Sequence, residues 1–464
     1  MTYDVIILGS GPGGYTAAVR AGQYGLRTAL VERQPRLGGT CLLVGCIPTK
    51  ALLHAAELWH SLREASADGI HADNFHLDFP RLIERKNEIV NQHSRGIEFL
   101  MRKNKVDVIR GEGSLKGGGR VEVRGEDGVK TLEARAIIVA TGSEARMLPG
   151  LSPDPERILT NVEILELQRV PESLVIVGAG AVGVEFASMF HRFGTRVTLL
   201  EMLPRIIPLE DSEVSRELER VFKKSGIRVE TGARVEQVES LDQGVRVRAL
   251  LSDGRVETFE AEKVLIGVGR RPNTEGIGLE NTRVELDRGY IRVDERQRTA
   301  EPGIYAIGDI VAGTPQLAHV AARQGLVAVA DIAGKPTQPV NPRLIPSCVY
   351  SEPGVASVGL TEEQARAQGY RVRVGKFGFR PNSMATILRR HDGFVKVVSD
   401  ERYDEILGVH IIGPKAYELI GEAVAAMAAE ATVETMMNTI HAHPTLYETL
   451  GEAFNAVYGL AINA

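Results

Sequence analysis

Cys41 and Cys46 stand five positions apart in GGTCLLVGCIPTK, residues 38–50, and the whole 464-residue chain has only one other cysteine. Two thiols this close can exchange between dithiol and disulfide. In a regular α-helix, Cα atoms five residues apart are separated by about 8.7 Å. A disulfide tolerates up to roughly 6.8 Å. A bridge between them therefore needs a break in any helix, and Gly45 supplies a permissive backbone for one. Pro48 suits the first turn of a helix over PTKALLHAAELW. A helix N-terminus lowers a thiol pKa, and a strained, accessible disulfide is the labile, catalytic kind. Two plainer readings compete. The cysteines could be inert and buried, or could be half of a zinc site. Zinc needs further ligands, but Cys348 is remote and the chain has no C-x-x-C. No metal site is expected.

The elements that would position this pair are legible on either side. YDVIILGSGPGGYTAAVRAGQYGLRTALVER, from Tyr3 to Arg33, leads from an apolar run through Gly9, Gly11 and Gly14 to a second apolar run ending at Glu32. This is the strand–helix–strand pattern of a dinucleotide site. Gly9 permits the tight turn, Gly11 lets the backbone approach a pyrophosphate, and Gly14 allows close helix–strand packing. Glu32 can accept hydrogen bonds from ribose hydroxyls. SLVIVGAGAVGVEFASMFHRFGTRVTLLE, from Ser173, repeats the pattern with Gly178, Gly180, Gly183 and Glu201. The acid follows the first glycine by the same interval in both copies. A plain glycine-rich turn explains one copy, but not two with matched spacing. The chain is expected to bind two dinucleotides. An acid at Glu201 repels a 2′-phosphate, so the second site reads as NAD rather than NADP. Arg196 and Arg205, nearby in sequence, are the residues that could oppose that preference.

Composition narrows the partners. The net charge is −5 with both signs interspersed, and no basic block points to nucleic acid or an anionic membrane. No apolar run reaches 18 residues, so no transmembrane helix is expected. The chain opens on a strand-like run that reads as lacking a leader, and the cytoplasm is the expected compartment. Reducing conditions there argue against a structural disulfide. The length suggests about three domains.

GGTCLLVGCIPTKALLH resembles the redox segment of the flavin-dependent pyridine nucleotide–disulfide oxidoreductases, and the likeness runs end to end. ATGS at 140–143, GVGRRPN at 267–273 and GIYAIGDI at 303–310 resemble the two crossovers and a flavin-contacting strand. HAHPTLYETLGEAF, from His441, resembles the C-terminal active-site segment. The branch it looks most like oxidises dihydrolipoamide and reduces NAD. That resemblance implies FAD at the first site, with Thr141, Gly142, Gly269, Gly308 and Asp309 lining the cofactors. It implies Cys46 as the thiol nearest the flavin and Cys41 as the thiol that meets substrate. Lys50 would lie by the flavin, paired with Glu185. His443, oriented by Glu448, would be the acid–base group and would serve Cys41 of the partner subunit in a homodimer. His441 is read as structural or supporting, and Cys348 as a small buried residue.

The implied fold class is α/β. It has two Rossmann-like dinucleotide-binding domains, a discontinuous FAD domain (1–150 and 270–340) and an NAD domain (151–269). An α+β interface domain (341–464) follows. Leu43 stands where the family usually has asparagine, Thr49 where serine is common, and FRPNSMA differs from the usual form. These bear on which lipoylated carrier docks. A related disulfide reductase, or an enzyme dedicated to a glycine-cleavage or sulfur-metabolism carrier, is the alternative. Mercuric reductases and larger thioredoxin reductases carry a second, C-terminal cysteine pair, and no cysteine follows Cys348. Glutathione reductases prefer NADPH, against Glu201, and soluble transhydrogenases lack the disulfide.

Overall fold

The structure is a computed structural model that describes residues 2–463; Met1 and Ala464, the outer ends of two expected domain spans, lie outside the described residues. The first strand–helix–strand unit is β1 (Thr2–Leu8), α1 (Pro12–Gln23) and β2 (Thr28–Glu32). Both strands are largely apolar and pair in parallel, with Leu8 opposite Val31. Strand 107–110 extends the sheet beyond β2, and strand 128–139 lies on the other side of β1. Strand 304–306 joins strand 128–139 in parallel, so the chain re-enters this sheet after a long excursion.

The helices that follow β2 carry the redox segment. They are α2 (Gly39–Val44) and α3 (Cys46–Glu64), with α4 (Phe79–Lys103) packed on α3. The stretch 39–68 is long and apolar enough by composition to cross a membrane. In the fold it packs against neighbouring helices instead.

The excursion is a second unit of the same kind. Strands 173–177 and 196–201 flank α5 (Ala181–Phe193), in a five-stranded parallel sheet with strands 228–231, 263–266 and 158–159. α6 (Ser212–Ser225) covers it. The two halves meet at a two-stranded ribbon, 143–145 with 270–272. α7 (Ala318–Ile332) returns to pack on α1. Small residues allow that approach: a Cβ on Gly325 would lie 2.8 Å from the Gly13 carbonyl.

From Ser347 onward the chain forms a five-stranded antiparallel sheet backed by helices 416–428 and 448–456. Strands 394–400 and 406–413 are buried along their whole length, covered on both faces. Burial extends even to Lys396, whose ammonium is held by Asp211 (3.1 Å), Glu213 (2.8 Å) and Glu362 (2.8 Å). A buried ammonium needs such partners, and two of them come from α6 and its N-cap. This cluster ties the C-terminal sheet to the second dinucleotide unit.

Candidate active site

The two glycine loops are built alike. Gly9 and Gly178 have φ of +104° and +99°, and a Cβ on either would lie 2.4 Å from a neighbouring carbonyl oxygen. A Cβ on Gly14 or Gly183 would lie 1.9 Å from the carbonyl oxygen of that first glycine. Gly11 and Gly180, the N-caps of α1 and α5, offer no side chain to their helices, and the space a Cβ would occupy is open. First-turn N–H groups of both helices thus lack a side-chain acceptor, which suits a pyrophosphate.

Each acid holds its own loop. Glu32 accepts hydrogen bonds from Ser10 N–H (2.9 Å) and Oγ–H (2.6 Å) and from Gln34 N–H (2.7 Å). Glu201 accepts from Ala179 N–H (2.6 Å) and Leu203 N–H (2.8 Å). Both carboxylates therefore fix their own glycine loops, and the remaining lone pairs are left for a ligand. Of the two arginines near Glu201 in sequence, Arg196 begins the strand that Glu201 ends. Six extended residues put it roughly 16 Å away. Arg205 is engaged with the Pro208 carbonyl (3.2 Å) and Glu363 (3.5 Å). Glu201→Ala is expected to raise the KM for NAD roughly tenfold or more and to narrow the preference over NADP. An unchanged ratio of the two KM values would remove Glu201 from ribose recognition.

Between the two loops sit the thiols. α2 ends at Val44 and α3 starts at Cys46, so the helix is broken at Gly45, between the cysteines. A Cβ there would lie 2.8 Å from the Thr40 carbonyl oxygen. Asn161 Nδ2 donates to the Val44 carbonyl at 2.7 Å and secures the break from the second unit. Both thiols are free and hydrogen bond to one another. Their acidities split. Cys46 is lowered to about 7, first by the hydrogen bond from Cys41 and then, against burial, by the Lys50 charge. Cys41 is pushed up, by the same hydrogen bond and by burial. Iodoacetamide alkylation of the dithiol protein is expected to reach half its maximal rate near pH 7. A midpoint near 9 would mean that Cys46 is not activated.

Lys50, one turn after Cys46, reaches Glu185 on α5 at 2.7 and 3.0 Å, across 135 residues of sequence. Glu185 also accepts from Tyr350 N–H at 3.0 Å. The Lys50 ammonium lies 4.4 Å from the centre of the Tyr350 ring, which stacks on Tyr417. Cys348, two residues away, is pushed up to about 11, mainly by burial, and stays a protonated thiol. Leu43 packs against the apolar core around β1 and α1.

Thr141 and Gly142 bond to Asn273 across the inter-unit ribbon, and Gly269 accepts from Arg146 N–H. Gly308 and Asp309 form a single turn after strand 304–306. Ser143 Oγ–H donates to Asp309 at 2.5 Å, and Arg270 donates to Ser143 Oγ and its carbonyl, each at 2.6 Å.

The last cluster is C-terminal. Glu448 opens helix 448–456 and accepts from His443 Nδ1–H at 2.9 Å and from Thr445 N–H at 2.7 Å. Burial alone would raise the Glu448 carboxyl, but these two donors hold it below its ordinary value. The His443 side chain is 70 % exposed, and its Nε2 has no hydrogen-bond partner among the described residues. Among the described residues, no hydrogen bond or ion pair joins this pair to the thiols of the same chain. His441 is half-buried beside it, bonded to Glu422 (2.8 Å) and the Thr439 carbonyl (3.0 Å), and raised chiefly by Glu422.

Comparison with known proteins gives the family. The family model for pyridine nucleotide-disulphide oxidoreductases matches residues 3–325, and the model for their dimerisation domain matches 345–454. The chain is 45% identical to a dihydrolipoyl dehydrogenase of Bacillus subtilis over 99% of both chains. It is 46% identical to dihydrolipoyl dehydrogenase 3 of Pseudomonas aeruginosa, again over 99% of both. The crystal structure of LpdA from Mycobacterium tuberculosis superposes with a TM-score of 0.90 at 32% identity, covering 97% of this chain and 98% of that one. Two glycine loops of one design, a thiol pair of split acidity and a match along the whole length place this chain in the pyridine nucleotide-disulphide oxidoreductase family, on its FAD- and NAD-linked dihydrolipoyl dehydrogenase branch.

Proposed function

We propose that the chain oxidises dihydrolipoamide held on a lipoylated carrier protein. It works in the cytoplasm as a homodimer whose His443–Glu448 pair serves the partner's thiols. The split acidity of Cys41 and Cys46, beside the Lys50–Glu185 pair, carries this reading. The reaction starts from the disulfide form. His443 Nε2 takes the proton of one substrate thiol, with Glu448 holding the ring at Nδ1. The substrate sulfur attacks Cys41, and the Cys41–Cys46 bond breaks towards Cys46. Cys46 leaves as a thiolate, which its lowered pKa and the Lys50 charge favour. The second substrate thiol closes on the first sulfur and expels Cys41, which keeps that thiol's proton because its own pKa is raised. The substrate has lost two electrons and the cysteine pair has gained them. FAD and NAD, when bound, supply the onward electron and hydride transfer. Gly11 and Gly180 leave room for their pyrophosphates, and Glu32 and Glu201 fix the loops that orient them.

The test is anaerobic addition of dihydrolipoamide and then NAD to the FAD-loaded protein. NADH is expected only when both are present. NADH-driven bleaching of the flavin with no response to dihydrolipoamide would keep the fold and discard the substrate.

A further inference from the structure

Three parts of the fold meet at one ammonium. Lys50 follows Cys46 by four residues on α3, so the two share a face of that helix. Glu185, on α5 of the second unit, holds Lys50 Nζ with both carboxylate oxygens. Tyr350 comes from the third part, just past strand 347–349 of the C-terminal sheet. Its N–H donates to Glu185 Oε1 at 3.0 Å, and its ring centre lies 4.4 Å from Lys50 Nζ. Tyr417, the second residue of helix 416–428, stacks on that ring at 4.6 Å, the planes 24° apart.

The two partners of Lys50 act differently on the thiol. Lys50 favours the Cys46 thiolate, and the Glu185 charge opposes it. An aromatic face attracts a cation without bringing a countercharge. The Tyr350 ring therefore adds hold on the ammonium while leaving its charge to act on Cys46. It also covers a side chain that is still 31 % exposed with both partners in place. Without the ring, more water would reach the ammonium and screen it. Cys41 and Arg270 also lie within electrostatic reach of Cys46, and the protonated Cys348 within reach of Lys50. Glu418, on helix 416–428, faces Tyr350 and Cys348. The Tyr350 hydroxyl is pushed up to about 12, first by burial, and stays neutral.

We propose that Tyr350 is a positioning residue of the redox centre: its ring holds the Lys50 ammonium beside Glu185 and, through Lys50, supports the thiolate of Cys46. This role rests on Cys46 being the activated thiol and on no particular substrate. The test is the pH dependence of iodoacetamide alkylation of the FAD-loaded dithiol dimer, followed at Cys46 by peptide mass. Tyr350→Phe keeps the ring and should keep the parent midpoint. Tyr350→Leu and the bulkier Tyr350→Met lose the ring and should raise the midpoint by about half a pH unit. Lys50→Met should raise it by itself, and adding Tyr350→Leu or Tyr350→Met should then move it no further. Flavin absorbance and the thermal midpoint show which variants keep the fold, and either ringless variant suffices. An unchanged midpoint without the ring would overturn the role. So would an equal rise in the Lys50→Met background, because the ring would then act through packing alone. A parent midpoint near 9 would overturn the activation of Cys46 itself, and this role with it.

Discussion

A Cys41→Ser protein is expected to retain FAD and to lose dihydrolipoamide turnover by at least about a thousandfold, as removal of an exchanging thiol should. Without Cys41 no S–S bond can form for the substrate to break. The geometry adds a second expectation. The hydrogen bond from Cys41 is the largest contributor to the low pKa of Cys46. Serine keeps an O–H donor at that position, and alanine does not. The alkylation midpoint of Cys46 should therefore stay near 7 in Cys41→Ser and rise in Cys41→Ala. Equal midpoints in the two variants would mean that Lys50, rather than Cys41, sets the thiolate. Turnover within a few fold of the parent would remove Cys41 from the mechanism.

His443→Ala should slow turnover by about two to four orders of magnitude, the usual worth of a positioned general base. Because the ring is mostly exposed in the single chain, FAD content and thermal midpoint should hardly move. Glu448→Gln should cost less, since it keeps an acceptor for Nδ1–H while losing the charge. The subunit that His443 serves can be read from mixed dimers. A dimer of one Cys41→Ser chain and one His443→Ala chain contains one intact site if the base crosses between subunits. It contains none if the base acts within its own chain. About half of the parent activity is the expected result, and an inactive mixed dimer would place the base in cis.

Sequence spacing exposed the features whose partners are local. The two glycine loops, the acids that follow them and the break at Gly45 all lie within single strand–helix–strand or helix–helix segments. Local geometry alone demands glycine there. The His443–Glu448 pair, five residues apart at a helix start, was legible through the family resemblance of its segment. What stayed hidden is contact between distant segments. Tyr350, which bonds Glu185 and faces Lys50, lies in no recognisable motif. Asn161 is an ordinary polar residue, and Ser143 and Arg270, though inside the two crossover motifs, show their bonds only when the two units close. Arg196 shows the converse error. Five residues before Glu201 it looks like a neighbour of the ribose, yet an extended strand carries it to the opposite edge of the sheet. Glu32 and Glu201 were legible as ligand acceptors, but their hold on their own loops depends on a return of the chain that spacing does not reveal.

The bare N-caps at Gly11 and Gly180 have a consequence for how much of this protein a cell keeps. Two helices begin with donors that no side chain satisfies, so part of the free energy that holds them is supplied from outside the chain. A ligand present at a hundred times its Kd adds about 2.7 kcal/mol to the folded state. That is a substantial share of the stability of an ordinary domain. Chains made when flavin is scarce should therefore open more often and be cleared faster by proteases. Vitamin supply would then set the abundance of the protein as well as its activity, through mass action alone and with no dedicated regulator.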